Sequence, residues 1–136
     1  MQCNPYLAFN GNCEEAFKFY EKVLGGKMLA MMKFSETPAA DQHGPDFRDK
    51  IVHARLSFGD NILMASDAPS AHYEPMKGMS VTLNLDTPDE AEKIFKAFSE
   101  GGKVGMPIQE TFWALRFGML TDRFGTPWMI NCEKKQ

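Results

Sequence analysis

Nowhere in this sequence do apolar residues run for the roughly 20 positions that a membrane-spanning helix needs. Its opening stretch, MQCNPYLAFNG, has neither a basic start nor a long apolar segment, which argues against an export signal and for a soluble, cytoplasmic protein without a membrane partner. Cysteine is scarce as well. Cys3, Cys13 and Cys132 are an odd number without CxxC spacing, which disfavours a disulfide framework or a zinc knuckle and leaves buried, reduced thiols as the expectation. Basic charge is not concentrated in any stripe: 15 Lys and Arg against 18 Asp and Glu give a net charge of -3, so the electrostatic footprint of a nucleic-acid partner is missing. What remains is 136 residues, 43% of them hydrophobic, enough for one compact domain over 1-136 with a sizeable core.

Inside that domain the chain repeats itself. NCEEAFKFYEKVLGGK at 12-27 and TPDEAEKIFKAFSEGGK at 87-103 share a capping residue, Glu-Ala, an apolar face and Gly-Gly-Lys. Two copies of one unit are therefore expected, the first over about 3-67 and the second over about 79-134. In the second helix Thr87, Pro88 and Glu90 make a capping box; Asn12 and Glu15 repeat it more weakly in the first. Ala91, Ile94, Phe95 and Phe98 form one buried stripe, and Ala16, Tyr20, Val23 and Leu24 the other. Gly25-Gly26 and Gly101-Gly102 end the helices.

Elsewhere the period is two. NPYLAFN precedes the first helix, and KMLAMMKF, KIVHARLSF and NILMASD follow it; MSVTLNLD precedes the second, and KVGMPIQE, ALRFGMLTD and PWMIN follow. Each copy thus reads βαβββ, and the fold class is α+β. The polar loops at 35-49 and 67-78 interrupt the pattern, the second as the junction between copies. A helix covers one face of each sheet and leaves the other uncovered. Strand phase puts Val52, Ala54, Leu56 and Phe58 inward and Ile51, His53, Arg55 and Ser57 on the uncovered side. By the same alternation Ser80, Thr82 and Asn84, and Pro127, Met129 and Asn131, look away from the second helix, whereas Val81, Leu83, Leu85, Trp128 and Ile130 face it. Two half-sheets curled toward each other would make these polar faces the lining of a cup.

A duplicated βαβββ unit forming a cupped mixed β-sheet, with helices on its outer face, resembles the vicinal oxygen chelate superfamily, the fold of glyoxalase I, extradiol dioxygenases, and fosfomycin and bleomycin resistance proteins. More narrowly, PYLAFNGNCEEAFKFY, HARLSFGDNILMASDA, QETFWALRFGMLTDRFGTPWMIN and the two Gly-Gly turns resemble its PhnB-like branch over nearly the whole chain. The resemblance implies a glyoxalase-like cup and a homodimer, without a settled reaction. Superfamily enzymes hold their metal at four places that correspond here to Pro5, His53, Ser80 and Met129, of which only His53 suits a divalent cation. No metal or other cofactor is therefore expected, and metal dependence is the less favoured reading. A ubiquinone-pathway methyltransferase label attached to the family finds no support, because the turns before the helices are a capped GN and TP instead of a glycine-rich loop.

Without metal, the candidates for catalysis are His53 and Glu110, as imidazole and carboxylate. The candidates for ligand contact are Arg55, Asn84, Trp113, Phe117 and Asn131. The blander reading pairs Glu110 with Arg116 and treats the aromatic rings as packing, with Asp122 and Arg123 in the turn before the last strand and His43 and His72 solvated in loops. Arg55 needs a partner, either Glu110 or a bound anion, which makes the small-molecule ligand of the cup an anion in the second case. Binder, metal-free enzyme and metal enzyme stay open at this level, as does a protein whose dimer surface is its working part.

Overall fold

A computed structural model describes residues 1-135. The chain divides into two compact units, Met1–Pro75 and Met76–Gln136, with the division inside the loop at 67-78. The first unit runs β1 (Tyr6–Phe9), α1 (Cys13–Leu24), β2 (Lys27–Lys33), β3 (Ile51–Phe58) and β4 (Asn61–Asp67). The second runs β5 (Val81–Asn84), α2 (Pro88–Ser99), β6 (Lys103–Gln109), β7 (Ala114–Thr121) and β8 (Pro127–Glu133). Strand order is β1-β4-β3-β2 in one and β5-β8-β7-β6 in the other. In both, the first strand pairs parallel with the last and the remaining pairs are antiparallel. The expected βαβββ repeat and α+β class are the observed ones.

Each core lies between a helix and one face of its own sheet. Ala91, Ile94, Phe95 and Phe98 are buried, as the stripe predicts, and Phe98 meets the fully buried Trp128 ring at 4.7 Å. In α1 the stripe is displaced: Cys13, Ala16, Phe17 and Tyr20 are buried, whereas Val23 and Leu24 are only half-buried. Phe17, whose ring meets Phe9 edge-on, is buried in their place.

The helix starts are made differently. Thr87 Oγ1 accepts the Glu90 amide at 3.2 Å, so the threonine half of the capping box forms. Asn12 does not cap α1, and its Oδ1 is buried without a partner among the described residues. The α1 amide at Cys13 donates instead to Asp67 Oδ1 at 3.0 Å, from the end of β4. A carboxylate from across the sheet serves a helix N-terminus better than a neighbouring amide oxygen would.

Both glycine pairs divide their work identically. Gly25 and Gly101 take positive φ, 64° and 71°, and stop the helix. Gly26 and Gly102 sit where an added Cβ would lie 2.5 Å from the carbonyl oxygens of Ser57 and Thr121. The helix can hand over to the next strand only if that residue has no side chain.

One strand-phase expectation fails. Ile51 is 1% exposed, on the covered side. The β2–β3 register shifts between Met32 and Lys33, so that Met32 pairs with His53 but Lys33 with Ile51. Val52 is the extra residue of a bulge, which reverses the alternation at the start of β3.

Candidate functional site

The uncovered face of the first sheet is built in rows. Tyr6 pairs with Met64, Met64 with Arg55 and Arg55 with Ala30, which sets these four side chains across β1, β4, β3 and β2. His53 lies two residues from Arg55 on the same side of β3, opposite Met32. The Tyr6 ring stacks on the His53 imidazole, centroids 6.0 Å apart at 29°, and its hydroxyl reaches Nδ1 at 3.4 Å. Sequence reasoning missed Tyr6, although its outward phase in NPYLAFN was the available signal. Arg55 is half-buried, with no ion pair or hydrogen bond from its side chain within its own unit.

The uncovered face of the second sheet has the same construction. One row is Thr82, Met129, Met119 and Met106, and the next is Asn84, Asn131, Phe117 and Gln109. Three of the expected ligand contacts, Asn84, Asn131 and Phe117, therefore stand side by side, and Trp113, which is 42% exposed, joins them by meeting Phe117 at 5.3 Å. Asn131 Nδ2 donates to Asn84 Oδ1 at 2.9 Å. Asn131 itself is 7% exposed, and its Oδ1 is buried without a hydrogen bond among the described residues. A buried acceptor left in that state costs about 1–3 kcal/mol. At the end of this row Asn84, Leu85, Asp86, Glu133, Lys134 and Lys135 line an open groove of about 470 Å³.

The charges of the 109-131 stretch are committed elsewhere. Glu110 follows β6 on the surface and pairs with Lys134 at 3.1 Å. Arg116 pairs with Glu92 of α2 at 2.9 Å, so the Glu110–Arg116 bridge of the blander reading is not formed; Arg116 stands opposite Cys132 in step with Gly118–Ile130 and Leu120–Trp128, which sets it on the helix side. Asp122 is buried and accepts the amides of Phe124 and Thr126 and the Trp128 indole at 2.8–3.0 Å, which holds the β7–β8 turn. Arg123 lies 4.4 Å from the Phe124 ring centre. In the loop at 35-49, His43 is exposed but not merely solvated, since its ring meets Phe34 and Phe47 edge-on at 5.5 and 5.6 Å.

The four positions at which the resemblance would place metal ligands, two in each unit, carry weak donors apart from His53. Pro5 supplies a carbonyl that already accepts the Met64 amide, Met129 supplies a thioether, and Ser80 supplies a hydroxyl just before β5. Among the described residues no three His, Cys, Asp or Glu side chains are grouped so as to hold a metal ion. Neither an imidazole with a committed carbonyl in the first unit nor a hydroxyl with a thioether in the second fits a divalent cation, which wants three or four nitrogen, oxygen or sulfur ligands. No described helix is long and apolar enough to cross a membrane.

A sequence profile of the Glyoxalase/Bleomycin resistance protein/Dioxygenase superfamily matches residues 2–130. The chain is 37% identical to the Escherichia coli K12 protein YjdN over 144 residues, covering 100% of this chain and 98% of that one. The crystal structure of the Pseudomonas aeruginosa protein PA1353 superposes with a TM-score of 0.91 at 52% identity, covering 99% of each chain. A PhnB protein of Bacillus cereus, named as a candidate 3-demethylubiquinone-9 3-methyltransferase, superposes at 0.82 with 22% identity, covering 97% of this chain and 99% of that one. At that identity the likeness speaks for the fold alone.

Proposed function

The chain belongs to the Glyoxalase/Bleomycin resistance protein/Dioxygenase superfamily, and from that premise we propose that it binds a small molecule on the uncovered faces of its sheets, without a catalytic metal. The observation that carries this reading is Asn131 Oδ1, a buried acceptor without a partner among the described residues, set in a row with Asn84, Phe117 and Gln109. Apolar walls with a few convergent polar groups are the usual make-up of a small-molecule site. A ligand hydroxyl or N–H is the missing donor, and Asn84, bonded to the other end of the same amide, fixes which way that acceptor points. A homodimer in the cytoplasm belongs to the same reading.

The alternative is a metal-dependent enzyme of glyoxalase or dioxygenase type that uses His53 and Glu110. The Glu110–Lys134 ion pair and the poor donor set weigh against it. Elemental analysis of untagged protein, with Zn, Ni, Mn, Fe and Co titrated back, separates the two readings. The expected result is sub-stoichiometric metal and an unchanged Tm with every ion, together with shifts of the Asn84 and Asn131 side-chain amide signals when a library of small polar fragments is screened by NMR. Near-stoichiometric metal, lost in His53→Ala, would overturn the proposal.

A further inference from the structure

The uncovered face of the first sheet carries a charge that nothing in its unit balances, and from it we infer that the ligand is an anion, gripped through a carboxylate or phosphoryl group by Arg55 and His53. This inference rests on the small-molecule reading above. The chain has four arginines. Arg48 pairs with Asp41, Arg116 with Glu92, and Arg123 covers the Phe124 ring. Arg55 alone of the four has no such partner within its own unit, and its strand neighbours Met64 and Ala30 are apolar.

Three acids of the helix side of this unit have partners of their own. Asp67 faces the helix and takes the amides of Cys13 and Ile51, Glu21 takes the amide of Met28, and Glu14 pairs with Lys18. A guanidinium held half out of water between a thioether and a methyl group keeps only part of its hydration and has no counter-charge within the unit. An oxyanion supplies the second, and the planar fork of arginine matches its two oxygens.

His53 completes the grip. In this scheme the Tyr6 hydroxyl, 3.4 Å from Nδ1, donates to that nitrogen, which leaves the ring proton on Nε2 as a second donor on the same face. Residues two apart on a strand lie about 7 Å from each other, a span that one anionic head bridges. Tyr6 is in this scheme a positioning residue. The uncompensated Arg55 charge also repels a divalent cation from His53, so anion binding and metal binding are competing uses of the same imidazole. Met64, Ala30 and Met32 are left to contact the apolar remainder of a small organic acid.

Calorimetric titration with benzoate, phenylphosphonate and the neutral, size-matched benzamide tests the assignment. The expected result is binding of at least one anion roughly tenfold or more tighter than benzamide, and a loss of roughly tenfold or more in Arg55→Met. Arg55→Lys restores only part, because an ammonium lacks the fork, and the preferred anion tells carboxylate from phosphoryl recognition. Tyr6→Phe should leave the fold intact by amide NMR yet let both His53 tautomers appear in imidazole ¹⁵N spectra. Unchanged anion affinity in a folded Arg55→Met, or benzamide as tight as benzoate, overturns the anion assignment. So does silence from all three probes at millimolar concentration, and the fragment response of Asn131 then tells whether the small-molecule reading survives alone or falls too.

Discussion

In the first unit one buried carboxylate starts two elements: Asp67 accepts the Cys13 amide that begins α1 at 3.0 Å and the Ile51 amide that begins β3 at 2.8 Å. In the second unit two hydroxyls divide that work, Thr87 taking the Glu90 amide of α2 and Thr111 the Ala114 amide of β7. The helix-facing register explains the difference. Leu7 pairs with Ala65 and Leu83 with Ile130; two residues further along the same face stand Asp67 in one unit and Cys132 in the other, both buried. A thiol cannot accept two amides as a carboxylate does, so the second unit brings its fastenings from its own loops. The backbone path repeats, and the polar groups that hold it do not.

Asp67→Ala should therefore break the comparison most sharply. It strands two buried amides at once, for an expected loss of about 3–5 kcal/mol in urea unfolding, with Asp67→Asn recovering part of it. Next come the two glycines that abut a carbonyl. Gly26→Ala and Gly102→Ala should each cost about 2–3 kcal/mol, and near-equal values would confirm that this device is shared. Thr87→Ala and Thr111→Ala are expected to cost about 1 kcal/mol apiece and to add in the double variant, since the two hydroxyls serve separate elements.

The smallest effect concerns Cys13, which has no thiol counterpart at Pro88, the first residue of α2. Burial pushes its thiol well above the ordinary range, and the carboxylates of Asp67 and Glu14 add to the shift. The folded state keeps the proton while the unfolded thiol releases it, so this contribution is complete below about pH 8.5 and erodes above it. Wild type should lose about 0.8 kcal/mol more than Cys13→Ala between pH 7 and 9, measured by urea midpoints at both.

Most of the fold is legible in the sequence because it rests on periodicity and on local signals. Both helices, the eight strands and the glycine pairs follow from spacing and turn chemistry. The Ile51 reversal does not, because a bulge such as that at Val52 depends on how β3 meets β2. The α1 cap fails for the same reason: its acceptor is remote. At the site, strand phase suffices to group Asn84 with Asn131 and His53 with Arg55. The partners of Glu110 and Arg116 stay hidden, since Lys134 and Glu92 become neighbours only after β6, β7 and α2 are laid against one another.

The bond between Cys13 and Asp67 spans 54 residues, whereas that between Thr87 and Glu90 spans three. As the chain leaves the ribosome, α2 carries its own start signal and can begin winding within its first turn. The start of α1 stays unfastened until β4 has been synthesised and laid beside β1, so the first unit has to close its longest loop before its earliest helix is secured. Order of synthesis and order of consolidation thus run in opposite directions for the two halves of one repeat.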